Sequence, residues 1–215
     1  MARITLIHAL RHSPPPIEAA FARLWPGQFL MNLLDDSLSA DLARQGRLDE
    51  AMTGRFLALG RYAAGTGSDG ILFTCSAFGP CIEAVAAALA PLPVLKPNEA
   101  MIAEIAAAGH RRVGLLATFA GTLASMPREF PPGIAVLPML AEGALAALDG
   151  GDAATHDRLA VAAAERLAAQ ERLDAIALGQ FSLAHVAPAV AAATGLPVFA
   201  TPESAVRRLK ALIGG

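Results

Sequence analysis

The chain says nearly the same thing twice, and this repetition limits its fold more than any other feature. Arg3-Ile4-Thr5-Leu6-Ile7 is answered by Arg112-Val113-Gly114-Leu115-Leu116. Asp69-Gly70-Ile71-Leu72-Phe73-Thr74-Cys75 is answered by Asp174-Ala175-Ile176-Ala177-Leu178-Gly179-Gln180. Leu92-Pro93-Val94 returns as Leu196-Pro197-Val198, and Glu99 as Glu203. The matches keep their order at a separation of about 105 residues, which predicts two similar domains rather than one.

Within each half, short apolar runs alternate with helical spacing. Strands are expected at Ile4–His8, Ile71–Thr74 and 93–95, then at Val113–Ala117, Ala175–Leu178 and 197–199. Leu48, Met52, Phe56, Leu59 and Tyr62 recur at helical spacing and stop at Gly65. Pro80 opens a helix through Ile82, Val85 and Leu89, and Asn98 caps one through Met101, Ile102 and Ile105. An alanine-rich helix is expected over 153–170, another over 184–194 closed by Gly195, and a last one from Thr201-Pro202-Glu203. Strands alternating with helices predict an α/β fold of two pseudo-symmetric Rossmann-like domains with parallel sheets. The first domain is expected at 1–96, completed by a C-terminal helix at 202–215, and the second at 97–201. Ligands of open α/β sheets bind beyond the carboxyl ends of the strands, so an active-site cleft between the domains is expected, with Cys75 and Gln180 on opposite walls.

Composition excludes several classes of function. The 215 residues are 54% hydrophobic, too apolar for a disordered chain, yet no run approaches ~18 uninterrupted apolar residues. A net charge of -2 offers no electrostatic footprint for nucleic acid or an anionic membrane. The opening residues lack the pattern of a signal peptide, so a soluble, cytoplasmic protein is expected. Two cysteines, Cys75 and Cys81, do not make a disulfide scaffold, and the histidines at 8, 12, 110, 156 and 185 lack metal-ligand spacing, so no metal site is expected. Gly65-Thr66-Gly67-Ser68-Asp69-Gly70 fits a dinucleotide fingerprint literally, but it follows a helix and enters a strand, the reverse of what a pyrophosphate needs; these are turn residues.

Thr74-Cys75-Ser76-Ala77-Phe78-Gly79-Pro80 is more informative, because it joins a strand to a helix that Pro80 opens. Free amides there bind anions, and the positive helix end lowers a thiol pKa. A cysteine after an apolar strand is also a small buried hydrophobe, and Cys81 is assigned to that role.

With this segment, Pro93-Val94-Leu95-Lys96-Pro97-Asn98-Glu99-Ala100-Met101 and Arg112-Val113-Gly114-Leu115-Leu116-Ala117-Thr118, nearly the whole chain resembles the aspartate/glutamate racemase superfamily. That superfamily includes hydantoin racemases, maleate isomerases and arylmalonate decarboxylases. The resemblance implies two Rossmann-like domains, no organic cofactor, a small carboxylate or cyclic imide as substrate, and one catalytic cysteine in each half. It further implies that Ser76, Ala77, Thr118 and Thr122 hold the substrate carboxylate.

The second half departs from that scheme. Where the partner cysteine is expected the chain reads Leu178-Gly179-Gln180-Phe181-Ser182. A glutamine amide hydrogen-bonds a substrate but is no acid or base near neutral pH, and Ser182 has no evident base beside it. The expected function is a cysteine-dependent racemase or isomerase acting through Cys75. Gln180, Ser182 and His8 are further catalytic candidates, and His185 is a substrate-binding one; His8, His12 or His185 would serve the second face. Three chemistries remain open for one thiol: proton exchange, covalent addition, and protonation of a carbanion left by decarboxylation. A single-thiol hydrolase and a non-catalytic small-acid binding protein are the alternatives, and a homo-oligomer is possible.

Overall fold

The chain begins with a strand, β1 (Arg3–His8), whose last five residues are all buried. In the computed structural model, which describes residues 1–214, three prolines then open α1 (Pro14–Leu24). Proline suits a first helical turn because the amide it lacks would have no partner there. The first unit continues with β2 (Phe29–Leu34), α2 (Ser37–Gln45), α3 (Glu50–Gly65), β3 (Gly70–Phe73), a 3-10 turn (Ser76–Phe78), α4 (Gly79–Leu89) and β4 (Val94–Leu95). Helix α3 starts where the Asp49 carboxylate accepts the Met52 amide. Next come α5 (Glu99–Ala107), β5 (Arg112–Ala117), α6 (Ala120–Ser125), a 3-10 turn (Met126–Glu129), β6 (Ala135–Leu140), α7 (Ala144–Asp149) and α8 (Ala153–Gln170). The chain ends through β7 (Ala175–Leu178), a 3-10 turn (Phe181–Val186), α9 (Ala187–Thr194), β8 (Val198–Ala200) and α10 (Thr201–Ile213).

Two units result: Met1–Ala100 with the chain from Pro202 on, and Met101–Thr201. Each holds one four-stranded parallel sheet, in the order β2-β1-β3-β4 and β6-β5-β7-β8. The repeat extends to single hydrogen bonds. Asp69 Oδ2 accepts the Arg3 amide at 2.8 Å, and Asp174 Oδ2 accepts the Arg112 amide at 2.8 Å. The Thr74 amide reaches Ile7 O at 3.0 Å, and the Gly179 amide reaches Leu116 O at 2.9 Å. Cys75 and Gln180 therefore occupy the same register, two residues past equivalent strands.

Side chains of the second sheet alternate between two cores. Leu116, Ile176 and Leu178 pack with Ala160, Ala163 and Ala164 of α8, whereas Val113, Leu115 and Ala177 pack with Met101, Ile102 and Ile105 of α5. A sheet covered on both faces reads as unbroken apolar strands, as here. In the first unit Phe56 of α3 lies 5.3 Å from the Phe73 ring and 4.9 Å from Phe78, which clamps the segment carrying Cys75 from both ends. Gly60 allows α3 to approach α4, since a Cβ there would sit 2.4 Å from Val85 Cγ1.

The helix expected over 184–194 is divided into the 3-10 turn and α9, because Pro188 at the start of α9 cannot donate the amide that would continue the helix. The edge strands β2 and β6 carry no apolar alternation that would have announced them; one includes Asn32 and the other Pro138. Gly65 ends α3 and Gly67 turns with φ 82°, so the glycine run closes a helix before β3. Among the described residues, no helix is long and apolar enough to cross a membrane.

Candidate functional site

The first unit presents a single thiol at the carboxyl end of its sheet. Cys75 is extended (φ -114°, ψ 120°), directly precedes the Ser76–Phe78 turn, and is only 6% exposed. The Ala77 amide hydrogen-bonds to it and favours the thiolate, and Ser39 Oγ, whose proton goes to the Ala9 carbonyl at 2.9 Å, lies beside it, but desolvation outweighs these contacts and pushes the thiol up to about 11. This reverses the expected helix-end activation: turn amides are present, but burial removes the water that would solvate the anion. At neutral pH Cys75 carries its proton. Cys81 is fully buried in α4 beside Thr53 Oγ1 at 3.5 Å, as suits its structural assignment.

His8 is fully buried at the end of β1, with both ring nitrogens engaged. Nε2 lies 2.8 Å from Asn32 Oδ1, and Nδ1 lies 2.8 Å from Thr74 Oγ1. Asn32 Nδ2 donates to Glu18 Oε1 at 2.7 Å, so the Asn32 oxygen faces His8 and His8 Nε2 must donate to it. Burial lowers the His8 pKa, leaving a neutral ring whose Nδ1 accepts the Thr74 hydroxyl proton. The result is a chain, Glu18–Asn32–His8–Thr74, that ends on the residue before Cys75.

The second unit builds its counterpart around Gln180. Its Oε1 accepts the Thr118 amide at 2.5 Å, the Thr118 hydroxyl at 3.1 Å and the Phe119 amide at 3.1 Å. Two amide donors identify that atom as the oxygen, so Nε2 faces the other way, and this buried nitrogen has no hydrogen-bond partner. Ser182 Oγ and Thr201 Oγ1 are likewise buried and unpartnered. All three follow the carboxyl ends of β7 and β8, adjacent strands in register. An unsatisfied buried polar group costs about 1–3 kcal/mol, so three at one sheet edge mark where a polar ligand would be met. Gly179 makes the tight approach possible: a Cβ there would lie 3.1 Å from Leu115 Cδ1 and Thr122 Cγ2.

The remaining expected residues are placed as follows. Ser76 and Ala77 are buried in the turn after Cys75, and Thr122 is buried in α6. Thr118 spends its amide and hydroxyl on Gln180. His185 Nε2 lies 2.7 Å from Asp157 Oδ1. Sequence reasoning missed Ser39, whose contact with Cys75 no local pattern foretells, and Asn32, the lone polar residue of the β2 run Phe29–Leu34. It also missed a potential metal-ligand group: the fold brings His156, Asp157 and His185 together although their spacing along the chain gave no such sign.

The model of the Asp/Glu/hydantoin racemase family matches residues 17–209. No curated protein matches the chain by sequence. Among solved structures, glutamate racemase from Francisella tularensis subsp. tularensis SCHU S4, in complex with D-glutamate, gives a TM-score of 0.75 at 14% identity over 99% of this chain and 81% of that one. Allantoin racemase from Klebsiella pneumoniae gives 0.71 at 19% identity over 99% and 88%. Unliganded arylmalonate decarboxylase gives 0.68 at 19% identity over 100% and 94%. At these identities the likeness is one of fold.

Proposed function

The chain belongs to the Asp/Glu/hydantoin racemase family, and from that premise we propose a cofactor-independent enzyme that moves a proton at the carbon next to a small carboxylate or cyclic imide through Cys75. The observation that carries this reading is the contrast at one register: a buried, protonated thiol in the first unit and a glutamine in the second.

A thiol held at about 11 is matched to a strongly basic carbon partner. In the forward step the S–H bond breaks, the proton forms a C–H bond at the carbanionic carbon, and the electron pair stays on sulfur. The Ala77 amide then stabilises the thiolate. The reverse step runs from the small thiolate fraction: the C–H bond breaks, the proton passes to sulfur, and the electron pair stays on the carbon as the enolate. Within the second unit, Gln180 Nε2, Ser182 and Thr201 are desolvated donors without partners, of the kind that enolate oxygens need. Thr118 positions Gln180, and the Glu18–Asn32–His8–Thr74 chain positions the start of the Cys75 loop. Cytoplasmic residence and a small-molecule substrate fit this reading.

The glutamine also favours a second reading within the same chemistry. Loss of CO₂ generates a carbanion without a base, so decarboxylation needs one proton donor rather than two. The test incubates intact protein and Cys75→Ala in D₂O with α-substituted acids, hydantoins, malonates and unsaturated diacids. NMR follows α-deuteration and product, and protein mass is read in parallel. Deuteration or turnover lost in the variant supports proton transfer at Cys75, with malonates alone reacting if decarboxylation is the activity. A substrate-sized adduct without turnover would replace it by covalent addition, and binding without either would leave a binding protein.

A further inference from the structure

We propose that His156, Asp157 and His185 form a binding site for a divalent transition-metal ion of the zinc type. His156 Nδ1 and His185 Nε2 each lie 2.7 Å from the same carboxylate oxygen, Asp157 Oδ1. The two rings stack with centroids 5.6 Å apart, and the three ligand atoms lie within 4.8 Å of one another. His156 is fully buried, whereas the side chains of Asp157 and His185 are 40% and 49% exposed. One ligand is therefore anchored in the core and two stand at the surface, which leaves an open side where water completes the coordination.

The donor set selects the ion. Two imidazoles and one carboxylate suit Zn²⁺ and its first-row neighbours, while Mg²⁺ and Ca²⁺ require oxygen ligands. In the metal-free fold each imidazole presents a nitrogen to the shared oxygen. A cation takes those two nitrogens as lone-pair ligands, so each ring carries its remaining proton on the opposite nitrogen. For His156 that nitrogen is Nε2, which is buried without an acceptor. His156 therefore lacks the outer hydrogen bond that orients a metal-ligating imidazole, so weaker binding than at a structural zinc centre is expected. The ion would tie the start of α8 to the Phe181–Val186 turn, which carries Ser182.

The test uses full-length protein stripped with a chelator and titrated with Zn²⁺ against a chromophoric competitor, with melting followed in parallel. One Zn²⁺ per chain and a raised melting temperature are expected, with no shift from Mg²⁺ or Ca²⁺. Replacing His156 empties a core position, so the surface variants His185→Ala and Asp157→Asn decide; each should weaken binding by more than about tenfold. Cys75→Ala should leave binding unchanged. Absence of saturable binding, undiminished affinity in both surface variants, or binding abolished by Cys75→Ala would each overturn the assignment.

Discussion

Gln180 Oε1 accepts the Thr118 backbone amide at 2.5 Å, and this bond aims the other end of the glutamine side chain. It stands where the register of the repeat places the equivalent of Cys75, so the same backbone position holds a thiol in one unit and a preoriented amide donor in the other. Separating the two ends of that side chain gives the first prediction. Gln180→Leu strands two amides and should cost about 1–3 kcal/mol in urea unfolding, along with activity. Gln180→Glu keeps the acceptor, so it should unfold closer to the wild type while still losing the donor proposed to meet substrate. Equal stability losses in the two variants would contradict the orientation described.

Alkylation of Cys75 offers the second prediction. With the thiol pushed up to about 11, roughly one molecule in a thousand is thiolate at pH 8. Iodoacetamide should react slowly at pH 8 in a Cys81→Ala background, and the rate should climb up to pH 11 rather than level off near 9. A plateau below pH 9 would contradict it.

The same burial makes a stability prediction. A pKa raised on folding contributes stability that is complete below the unfolded value and is lost as pH rises through the folded one. The protein should therefore lose about 2 kcal/mol between pH 9 and 11 from this group. Cys75→Ala should show a correspondingly flatter urea midpoint across that window.

His8 acts at the other end of the pH scale. Its pKa is lowered by burial, so its contribution is present above the unfolded value of about 6.5 and is lost as pH falls below it. Wild-type stability should drop from pH 7 to pH 5 more steeply than that of His8→Asn, measured by chemical denaturation. A parallel pH dependence would rule out a buried neutral imidazole.

Gly179→Ala tests the approach that seats Gln180. Its methyl would sit 3.1 Å from Leu115 Cδ1 and 3.2 Å from Met126 Sδ. The expected cost is about 1–3 kcal/mol by thermal melting, with a larger proportional loss in substrate affinity than Gly65→Ala produces, because nothing lies within 4 Å of a Cβ at 65.

Much of the architecture was legible because it is written in short-range pattern. The alanine-rich helix begins at Ala153 and ends at Gln170, and the strand at Ala175–Leu178 has the bounds its apolar run predicts. The strands β2 and β6 escaped notice because neither shows regular apolar alternation: Asn32 interrupts one and Pro138 the other. Helix α1, opened by Pro14, Pro15 and Pro16, was not among the expected helices.

The sequence by itself determined the two parallel α/β sheets and the asymmetry between Cys75 and Gln180, since both follow from periodicity and register within a few residues. Tertiary structure decided the chemistry of those groups. Ser39 reaches Cys75 from α2, and the core around it raises the thiol instead of lowering it. Glu18 and Asn32 arrive from α1 and β2 to fix the His8 ring, and α8 brings His156 to His185. Local sequence sets backbone conformation because its forces act between neighbours, whereas desolvation and hydrogen-bond partnership depend on what packs against a residue from elsewhere in the chain.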